Sequence, residues 1–174
     1  MQPERDAVYV AFGSNLGDRL QNTRAALGRL REIAIIIAVA GLYETAPAGP
    51  QNQPPFYNTA CALRTPLSPR ALLREVKRIE WELGRRPSRA WGPRPIDIDI
   101  LLAGSARIDD ATMTVPHPHL AERGFVLAPL AEIAAAVTHP LTGRSIRQLL
   151  DDLPPARLDG VVRIAGPDWV LSGA

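Results

Sequence analysis

The stretch IDIDILL at residues 96–102 places two aspartates inside an otherwise apolar run. Alternate side chains of a β-strand lie on one face, so Ile96, Ile98 and Ile100 are predicted to face a core. Asp97 and Asp99 then share the opposite face. Like-charged carboxylates at such positions repel each other unless water, an arginine or a metal ion lies between them. We therefore predict a strand whose polar face carries both aspartates, and other parts of the chain should show which of these groups separates them.

The composition bounds the class of protein. The chain has 174 residues, of which 46% are hydrophobic, which is enough for one domain, predicted over residues 1–174. The apolar run IAIIIAVAGL is half of the roughly 20 residues of a membrane span, and the N-terminus lacks a signal-peptide stretch. The lone Cys61 excludes an internal disulfide. We expect a cytoplasmic monomer with no nucleic-acid or membrane partner.

The predicted elements come in the order strand, helix, strand, strand, helix, strand. AVYVAF is the first strand, Asp18 caps the first helix, and IIIAVAGLYET and FYNTACALRT are the next two strands. The clearest helix is SPRALLREVKRIEWELG, which ends at Gly84 and precedes the aspartate strand. A short strand at TMTV, helices at VLAPLAEIAAAV and SIRQLLDDL, and a weak strand at VVRIAG follow. This order predicts an α+β fold with a ferredoxin-like antiparallel sheet on one side and helices on the other.

An arginine cluster precedes the aspartate strand. Arg85, Arg86, Arg89 and Arg94 lie within one proline-rich loop, next to a Trp-Gly-Pro turn. An isolated D-x-D pair in a strand is more often only the wet face of an amphipathic strand, and an arginine run is more often only a solvated face. Together, however, they supply metal ligands and anion clamps for a nucleoside triphosphate. Trp91, in the same polar loop, could close over a flat ligand.

A second polar segment, VPHPHLAERGF, contains His117, His119, Arg123 and Phe125. The histidines fit either a nucleotide contact or a proline-stiffened turn, and the residues alone do not separate these two interpretations. The chain contains no G-x-x-x-x-G-K-[ST] loop and no G-x-G-x-x-G fingerprint. ATP, if it binds, therefore binds without a Walker motif.

Four segments, taken together, resemble the 6-hydroxymethyl-7,8-dihydropterin pyrophosphokinase family. They are AFGSNLGD, YETAPAGPQNQPPFYN, RAWGPRPIDIDIL and VPHPHLAERGFVLAPLAEIA, in the family's order over most of residues 7–134. The resemblance implies an enzyme of folate biosynthesis that transfers pyrophosphate from ATP to the hydroxymethyl group of the pterin and releases AMP. It also implies two Mg²⁺ ions as cofactors, with ATP and the pterin as the small-molecule partners.

The resemblance also implies roles for individual residues. Asp97 and Asp99 match the metal-binding aspartates, and with Arg85 and Arg94 they form the implied catalytic set. The residues implied to bind the pterin are Thr45, Phe56, Asn58, Trp91 and Phe125. The residues implied to bind ATP are Arg85, Arg94, Thr114, His117 and Arg123.

Two other functions fit parts of the same pattern. A Mg²⁺-dependent nucleotidyltransferase also combines Gly-Ser with D-x-D, but there the Gly-Ser usually lies shortly before the aspartates, whereas Gly13 and Ser14 are far upstream. A non-catalytic ferredoxin-like ligand-binding module would have little reason to keep paired aspartates facing an arginine loop. Release of AMP rather than pyrophosphate separates the first from a pyrophosphokinase, and turnover of ATP separates the second.

Overall fold

The structure is a computed structural model that describes residues 7–47, 52–87 and 92–171. Its helices are α1 (Arg19–Arg31), α2 (Pro69–Glu82), α3 (Gly124–Ala134) and α4 (Ile146–Asp151). Its strands are β1 (Val8–Ser14), β2 (Ile35–Val39), β3 (Leu42–Thr45), β4 (Phe56–Arg64), β5 (Asp97–Ala103), β6 (Ile108–Asp109), β7 (Thr114–Val115) and β8 (Val162–Ala165). Short 3₁₀ turns lie at Leu120–Glu122, Pro155–Arg157 and Pro167–Val170.

The main sheet has the strand order β5-β1-β4-β3-β8, and every pair in it is antiparallel. β2 also pairs with β4, at the C-terminal end of β4, whereas β3 pairs with its N-terminal end. Counting β2 and β3 as one interrupted strand, this order is the ferredoxin-like arrangement, which confirms the predicted α+β class. The described residues form one domain around this sheet. In the centre, Gly13 of β1 lies opposite Asn58 of β4 on one side and Asp97 of β5 on the other.

Helices cover both faces of the sheet, so the expectation of helices on one side was incomplete. Val8, Val10 and Phe12 of β1 pack in a cluster with α1 and α2. Tyr9, the next residue after Val8, faces the other way into a second cluster with α3 and α4. The alternation of strand side chains supplies both apolar faces, because β1 is apolar at consecutive positions.

The predicted strand IIIAVAGLYET is interrupted at Ala40 and Gly41, and the register of β2 against β4 already shifts between Ile36 and Ala38. Backbone groups there bond to side chains rather than only to a strand. The Ala40 carbonyl accepts from the indole of Trp169 at 2.9 Å, the Gly41 carbonyl accepts from the Thr59 hydroxyl at 2.9 Å, and the Gly41 N–H donates to Glu132 at 2.9 Å. These contacts come from distant parts of the chain, so the local pattern could not show the interruption.

The other predicted elements are confirmed. Ser68 caps α2 by accepting from the Ala71 N–H, and Leu72, Val76 and Ile79 form its buried stripe. Asp18 caps α1 in the same way. The TMTV strand is β7, which pairs with β6 in a separate two-stranded sheet. Within the described residues, no helix is long and apolar enough to cross a membrane.

Candidate active site

A cavity of about 100 Å³, here called the first cavity, opens beside the centre of the sheet. It lies where β1, the end of β3, the start of β4, the start of β5 and the start of α3 meet. Its lining residues are Ala11, Phe12, Gly13, Thr45, Ala46, Pro47, Phe56, Asn58, Arg94, Asp97, Asp99, Arg123, Phe125 and Val126. Eight residues that the sequence predicted as site residues are therefore brought together: Thr45, Phe56, Asn58, Arg94, Asp97, Asp99, Arg123 and Phe125.

The strand prediction for the aspartates is confirmed by the side-chain directions. Ile96, Ile98 and Ile100 are buried in the cluster under α1 and α2. Asp97 and Asp99 point to the opposite face and both line the first cavity. The alternation of apolar and acidic residues thus converts one strand into part of a core on one face and part of a cavity wall on the other.

Two guanidinium groups neutralise Asp97. Arg94 Nη1 lies 2.7 Å from one carboxylate oxygen, and Arg85 Nη1 donates to the other. Burial by itself would raise the pKa of the Asp97 carboxyl, but the charges of Arg85 and Arg94 outweigh it and lower the pKa. Asp97 is therefore ionised at neutral pH. Arg85 does not line the first cavity, and it reaches the site through this ion pair.

Asp99 has the opposite electrostatics. Its burial and the negative charge of Asp97 raise the pKa of the Asp99 carboxyl. The ion pairs of Arg85 and Arg94 are made with Asp97, so Asp99 is the carboxylate of this partly buried pair whose charge a divalent cation would compensate. The described residues contain no group of three or more His, Cys, Asp or Glu side chains that could hold a metal. Two carboxylates as the protein ligands suit Mg²⁺, which commonly keeps water and phosphate oxygens as its other ligands.

The residues predicted to bind the pterin surround the other side of the first cavity. Asn58 Nδ2 donates to Thr45 Oγ1 at 2.6 Å, and both residues are buried. This bond fixes the amide, whose oxygen lies against Gly13. Phe56 and Phe125 add aromatic rings to the lining. Trp91 lies outside the described residues.

A second cavity, of about 320 Å³, lies on the other side of Asp99. Thr114 and His117, predicted to contact ATP, line it together with Lys77 of α2 and Asp99. Burial lowers the pKa of His117, although the nearby Asp99 opposes the shift, so the imidazole is neutral at pH 7. Of the residues described, only Asp99 lines both cavities.

Four of the five residues predicted to bind ATP are thus divided between the two cavities, and Arg85 lines neither. Thr114 and His117 belong to the second cavity, whereas Arg94 and Arg123 line the first. Arg123 lies directly before α3, and its guanidinium carbon is 5.8 Å from the centre of the Phe125 ring. A nucleotide in the second cavity would therefore direct its phosphates past Asp99 toward these arginines.

The sequence did not single out Glu80, a buried acid with only 2% of its surface exposed. One carboxylate oxygen of Glu80 accepts from Arg85 Nη1 at 2.7 Å, from Lys77 Nζ at 3.0 Å and from the Ile98 N–H at 2.7 Å. It therefore joins α2 to the back of the aspartate strand. Its position on the apolar face of α2, between Val76 and Leu83, was the available signal, because an acid there needs buried partners.

The GSN segment also has a role that the sequence reasoning missed. Asn15 makes two hydrogen bonds with the Arg94 backbone: the Asn15 N–H donates to the Arg94 carbonyl at 3.1 Å, and the Arg94 N–H donates to the side-chain Oδ1 of Asn15 at 2.8 Å. Its Nδ2 donates to Gln53 and to the Pro54 carbonyl. Ser14 Oγ donates to the Pro95 carbonyl at 2.5 Å. The segment at the end of β1 therefore ties residues 53–54 to residues 94–95.

The fold and the site together define the class of protein. A cavity with paired carboxylates, arginines and aromatic rings, adjoining a second cavity, is suited to transfer of a phosphate group between a nucleotide and a ring compound. The comparisons with known proteins give the particular family. The family model of 7,8-dihydro-6-hydroxymethylpterin-pyrophosphokinase (HPPK) matches residues 9–135.

Two bacterial relatives of similar length carry the name of the same pyrophosphokinase. The Pseudomonas aeruginosa protein named 2-amino-4-hydroxy-6-hydroxymethyldihydropteridine pyrophosphokinase is 41% identical over 161 residues, which are 91% of this chain and 97% of that protein. The Bacillus subtilis protein of the same name is 43% identical over 142 residues, which are 80% of this chain and 85% of that protein. The chain belongs to the 7,8-dihydro-6-hydroxymethylpterin-pyrophosphokinase family, which confirms the predicted family.

Some relatives are much longer. The mitochondrial folate synthesis bifunctional protein of Pisum sativum is 46% identical over 134 residues, but these are 76% of this chain and only 26% of the pea protein. A crystal structure of Plasmodium falciparum HPPK-DHPS superposes with a TM-score of 0.68 at 16% identity, covering 83% of this chain and 42% of that one. At this identity the superposition supports the fold alone.

Proposed function

We propose that the protein transfers pyrophosphate from ATP to 6-hydroxymethyl-7,8-dihydropterin, giving the pterin diphosphate and AMP, a step of folate synthesis. The activity is the one for which the relatives of similar length are named. One observation supports it most strongly: Asp99 lines two adjoining cavities, one with aromatic and amide groups and one with a threonine, a lysine and a neutral histidine. This arrangement suits two different substrates whose reacting atoms meet at the aspartates.

The first cavity is the proposed pterin site. A pterin is a flat heterocycle with alternating hydrogen-bond donors and acceptors on its edge. Asn58, held by Thr45, offers an amide that can both donate and accept, and Phe56 and Phe125 offer ring faces. We extend this role to Trp91 from the sequence motif alone.

The second cavity is the proposed ATP site, with Thr114 and His117 at the nucleotide. Arg94 and Arg123, at the first cavity, would contact the phosphates that extend past Asp99. Lys77 adds a positive charge to the lining of the second cavity. Phosphate oxygens are recognised well by such cations, and the guanidinium groups can bind them in pairs.

In the proposed reaction the hydroxymethyl oxygen of the pterin forms a bond to the β-phosphorus of ATP. The bond between that phosphorus and the oxygen bridging to the α-phosphate breaks, AMP leaves with the electron pair, and the hydroxyl proton is lost to solvent. Arg85, Arg94 and Arg123 would neutralise charge on the transferred group, and the cavity walls would align the two substrates. Positioning and electrostatics are then the main contributions of the protein.

Asp97 and Asp99 are the residues that would hold Mg²⁺, proposed as two ions bound together with ATP. Bound Mg²⁺ would shield the phosphate charges from the attacking oxygen. Because Asp97 already accepts from Arg85 and Arg94, metal binding would require at least one of these guanidinium groups to turn toward the phosphates. The same ion pairs keep the charge of Asp97 compensated in the free protein.

The remaining expectations from the sequence stay proposals. They are a single pyrophosphokinase domain over residues 1–174, a monomer, a cytoplasmic location, and no nucleic-acid or membrane partner.

One assay tests the proposed function. The protein is incubated with ATP, Mg²⁺ and reduced hydroxymethylpterin, and the products are resolved by chromatography and ³¹P NMR. Equal amounts of AMP and pterin diphosphate are expected, with no AMP from a 6-methyl pterin that lacks the hydroxyl. Release of pyrophosphate would instead indicate a nucleotidyltransferase, and binding without turnover would indicate a non-catalytic module.

A further inference from the structure

Glu132, near the C-terminal end of α3, lies outside both cavities, yet it joins three separate segments. Its carboxylate accepts from the hydroxyl of Tyr43 on β3, from the Gly41 N–H at 2.9 Å, and from Arg163 of β8. Arg163 reaches both carboxylate oxygens, through Nε at 2.7 Å and Nη2 at 3.4 Å. One carboxylate thus connects α3, β3 and β8.

These contacts are charge-assisted. Burial would raise the pKa of Glu132, but the bonds from Tyr43 and Arg163 outweigh it and lower the pKa. Burial and the Glu132 charge raise the pKa of Tyr43, so the phenol keeps its proton. Hydrogen bonds to an ionised acceptor are roughly twice as strong as neutral ones. The connection is therefore well suited to fix a helix against a sheet.

The segments joined by Glu132 also form walls of the first cavity. Phe125 and Val126, in the first turn of α3, line one side. Thr45, two residues after Tyr43 on β3, lines another and holds Asn58. Glu132 lies seven residues beyond Phe125, which is about 10 Å along the helix. A shift of α3 relative to β3 at Glu132 would change the separation between the Phe125 ring and the Asn58 amide.

β8 lies unusually close to Gly41, which supports a specific contact between Arg163 and this part of the chain. A Cβ atom on Gly41 would lie 2.7 Å from the Ala165 carbonyl oxygen and 2.7 Å from Arg163 Nε. Only glycine allows the backbone of β8 and the Arg163 guanidinium to lie this close to residue 41. Arg163 also lies beyond residues 9–135, where the family model matches, so this part of the contact comes from the C-terminal segment of this chain.

We propose that Glu132 is a positioning residue for the pterin site, and that Arg163 of the C-terminal strand acts through it. The proposal rests on the proposed function, because it takes the first cavity as the pterin site. Neither residue touches the substrate. Glu132 holds α3 against β3, and this contact sets the distance of Phe125 from Thr45 and Asn58. Loss of the carboxylate charge would then weaken recognition of the pterin much more than that of the nucleotide, because Thr114, His117 and Lys77 line the cavity on the far side of Asp99.

The test compares Glu132→Gln and Arg163→Gln with the wild-type protein in calorimetry, using the pterin and a nonhydrolysable ATP analogue as separate probes. The Kd for the pterin should rise on the order of ten-fold, while the Kd for the analogue stays within about two-fold. Arg29→Gln is the matched control, because Arg29 and Arg163 have equally exposed side chains (47%) and each pairs with a glutamate. The control should change neither constant.

A double-mutant cycle separates positioning from general loosening. If Arg163 acts through Glu132, the double variant should bind the pterin no more weakly than Glu132→Gln alone. Tyr43→Phe, which removes only a hydroxyl, gives a third variant that keeps its packing and should show a smaller rise in the pterin Kd. Its result decides the question if Glu132→Gln does not fold.

Three results would overturn the proposal: an unchanged pterin Kd in folded Glu132→Gln or Tyr43→Phe, equal losses for both ligands, or additive losses in the double variant. The proposed function fails separately, because its failure would appear in the wild-type protein as no pterin binding or no AMP formation.

Discussion

Asp97 and Asp99 share one face of β5, yet the pKa values of their carboxyl groups shift in opposite directions. Asp97 has the charges of Arg85 and Arg94 beside it, and these lower its pKa. Asp99 is buried next to the negative charge of Asp97, and this raises its pKa. The arginines already compensate the charge of Asp97. Asp99 is therefore the aspartate at which a bound cation would relieve more unfavourable charge.

Replacing each aspartate by asparagine should separate stability from activity. Both Asp97→Asn and Asp99→Asn should lower kcat by orders of magnitude if they hold the metal. In EDTA at pH 8, however, Asp99→Asn should raise Tm by about 2–4 °C, the change that about 1 kcal/mol produces in a domain of this size. Asp97→Asn should lower Tm, because Arg85 and Arg94 lose their partner. Calorimetric melting checks both signs.

The sign follows from proton linkage. A carboxyl whose folded-state pKa is raised binds more protons in the folded than in the unfolded state, so its ionisation weakens the fold as pH rises. Asparagine removes this charge and keeps the shape. Equal falls in Tm for the two variants would contradict the assigned electrostatics, and near-normal turnover at saturating Mg²⁺ would contradict the metal role.

Gly13, between Asn58 and Asp97, should tolerate no side chain without loss of pterin binding. A Cβ atom there would lie 3.3 Å from Asn58 Oδ1 and 3.6 Å from Phe56 Cδ1, inside the first cavity. Gly13→Ala should raise the pterin Kd by about ten-fold or more, which is about 1.4 kcal/mol. Gly28→Ala is the control, because nothing lies within 4 Å of its added methyl group. It should stabilise α1 by about 0.5–1 kcal/mol and leave binding unchanged.

Glu80 should be important for stability through its acceptor atoms more than through its charge. Glu80→Ala leaves the Ile98 N–H, Lys77 and Arg85 without this acceptor and should cost about 2–4 kcal/mol. Glu80→Gln keeps an oxygen for the Ile98 N–H, and burial already raises the pKa of Glu80, so it should cost less than half as much. Glu82→Ala, on the exposed side of the same helix, should cost less than about 1 kcal/mol. Urea unfolding measures all three, and equal costs for Ala and Gln at position 80 would refute the explanation.

His139 should make the fold weaker in acid. It is 5% exposed, and its Nδ1 accepts from the N–H groups of Leu141 and Thr142 at 3.3 and 3.4 Å. Burial lowers the pKa of His139 below its ordinary 6.5, so the unfolded state takes up the proton first. The stability due to neutral His139 is present above about pH 6.5 and is lost as the pH falls below it.

His139→Asn supplies an amide oxygen as the acceptor and cannot be protonated in this range. Its free energy of unfolding should therefore depend less on pH between 7 and 5 than that of the wild-type protein, with His117 and the carboxyl groups contributing the rest. His119→Asn, at an exposed histidine, should keep the wild-type slope. A wild-type slope in His139→Asn would show that another group is responsible.

The sequence predicted those parts of the fold and site that depend on local pattern. The period of α2, its Ser68 cap and the alternation around Asp97 are local, and the structure confirms them. The interruption at Ala40 and Gly41 depends on Trp169 and Glu132, which are far away in the chain. Glu80 and Asn15 escaped for a similar reason, because each bonds to a backbone group of a distant segment, Glu80 to the Ile98 N–H and Asn15 to Arg94.

The position of β1 in the sheet has a consequence for synthesis of the protein on the ribosome. β1 is made first, but its two neighbours in the sheet are β4, which begins at residue 56, and β5, which begins at residue 97. A nascent chain that has emerged only to α2 has β1 and β4 available but one edge of β1 still open, and such long-range pairing forms slowly. Both aspartates arrive with the strand that closes this edge, so binding of substrate can begin to stabilise the nascent domain only after both neighbours of β1 have been made.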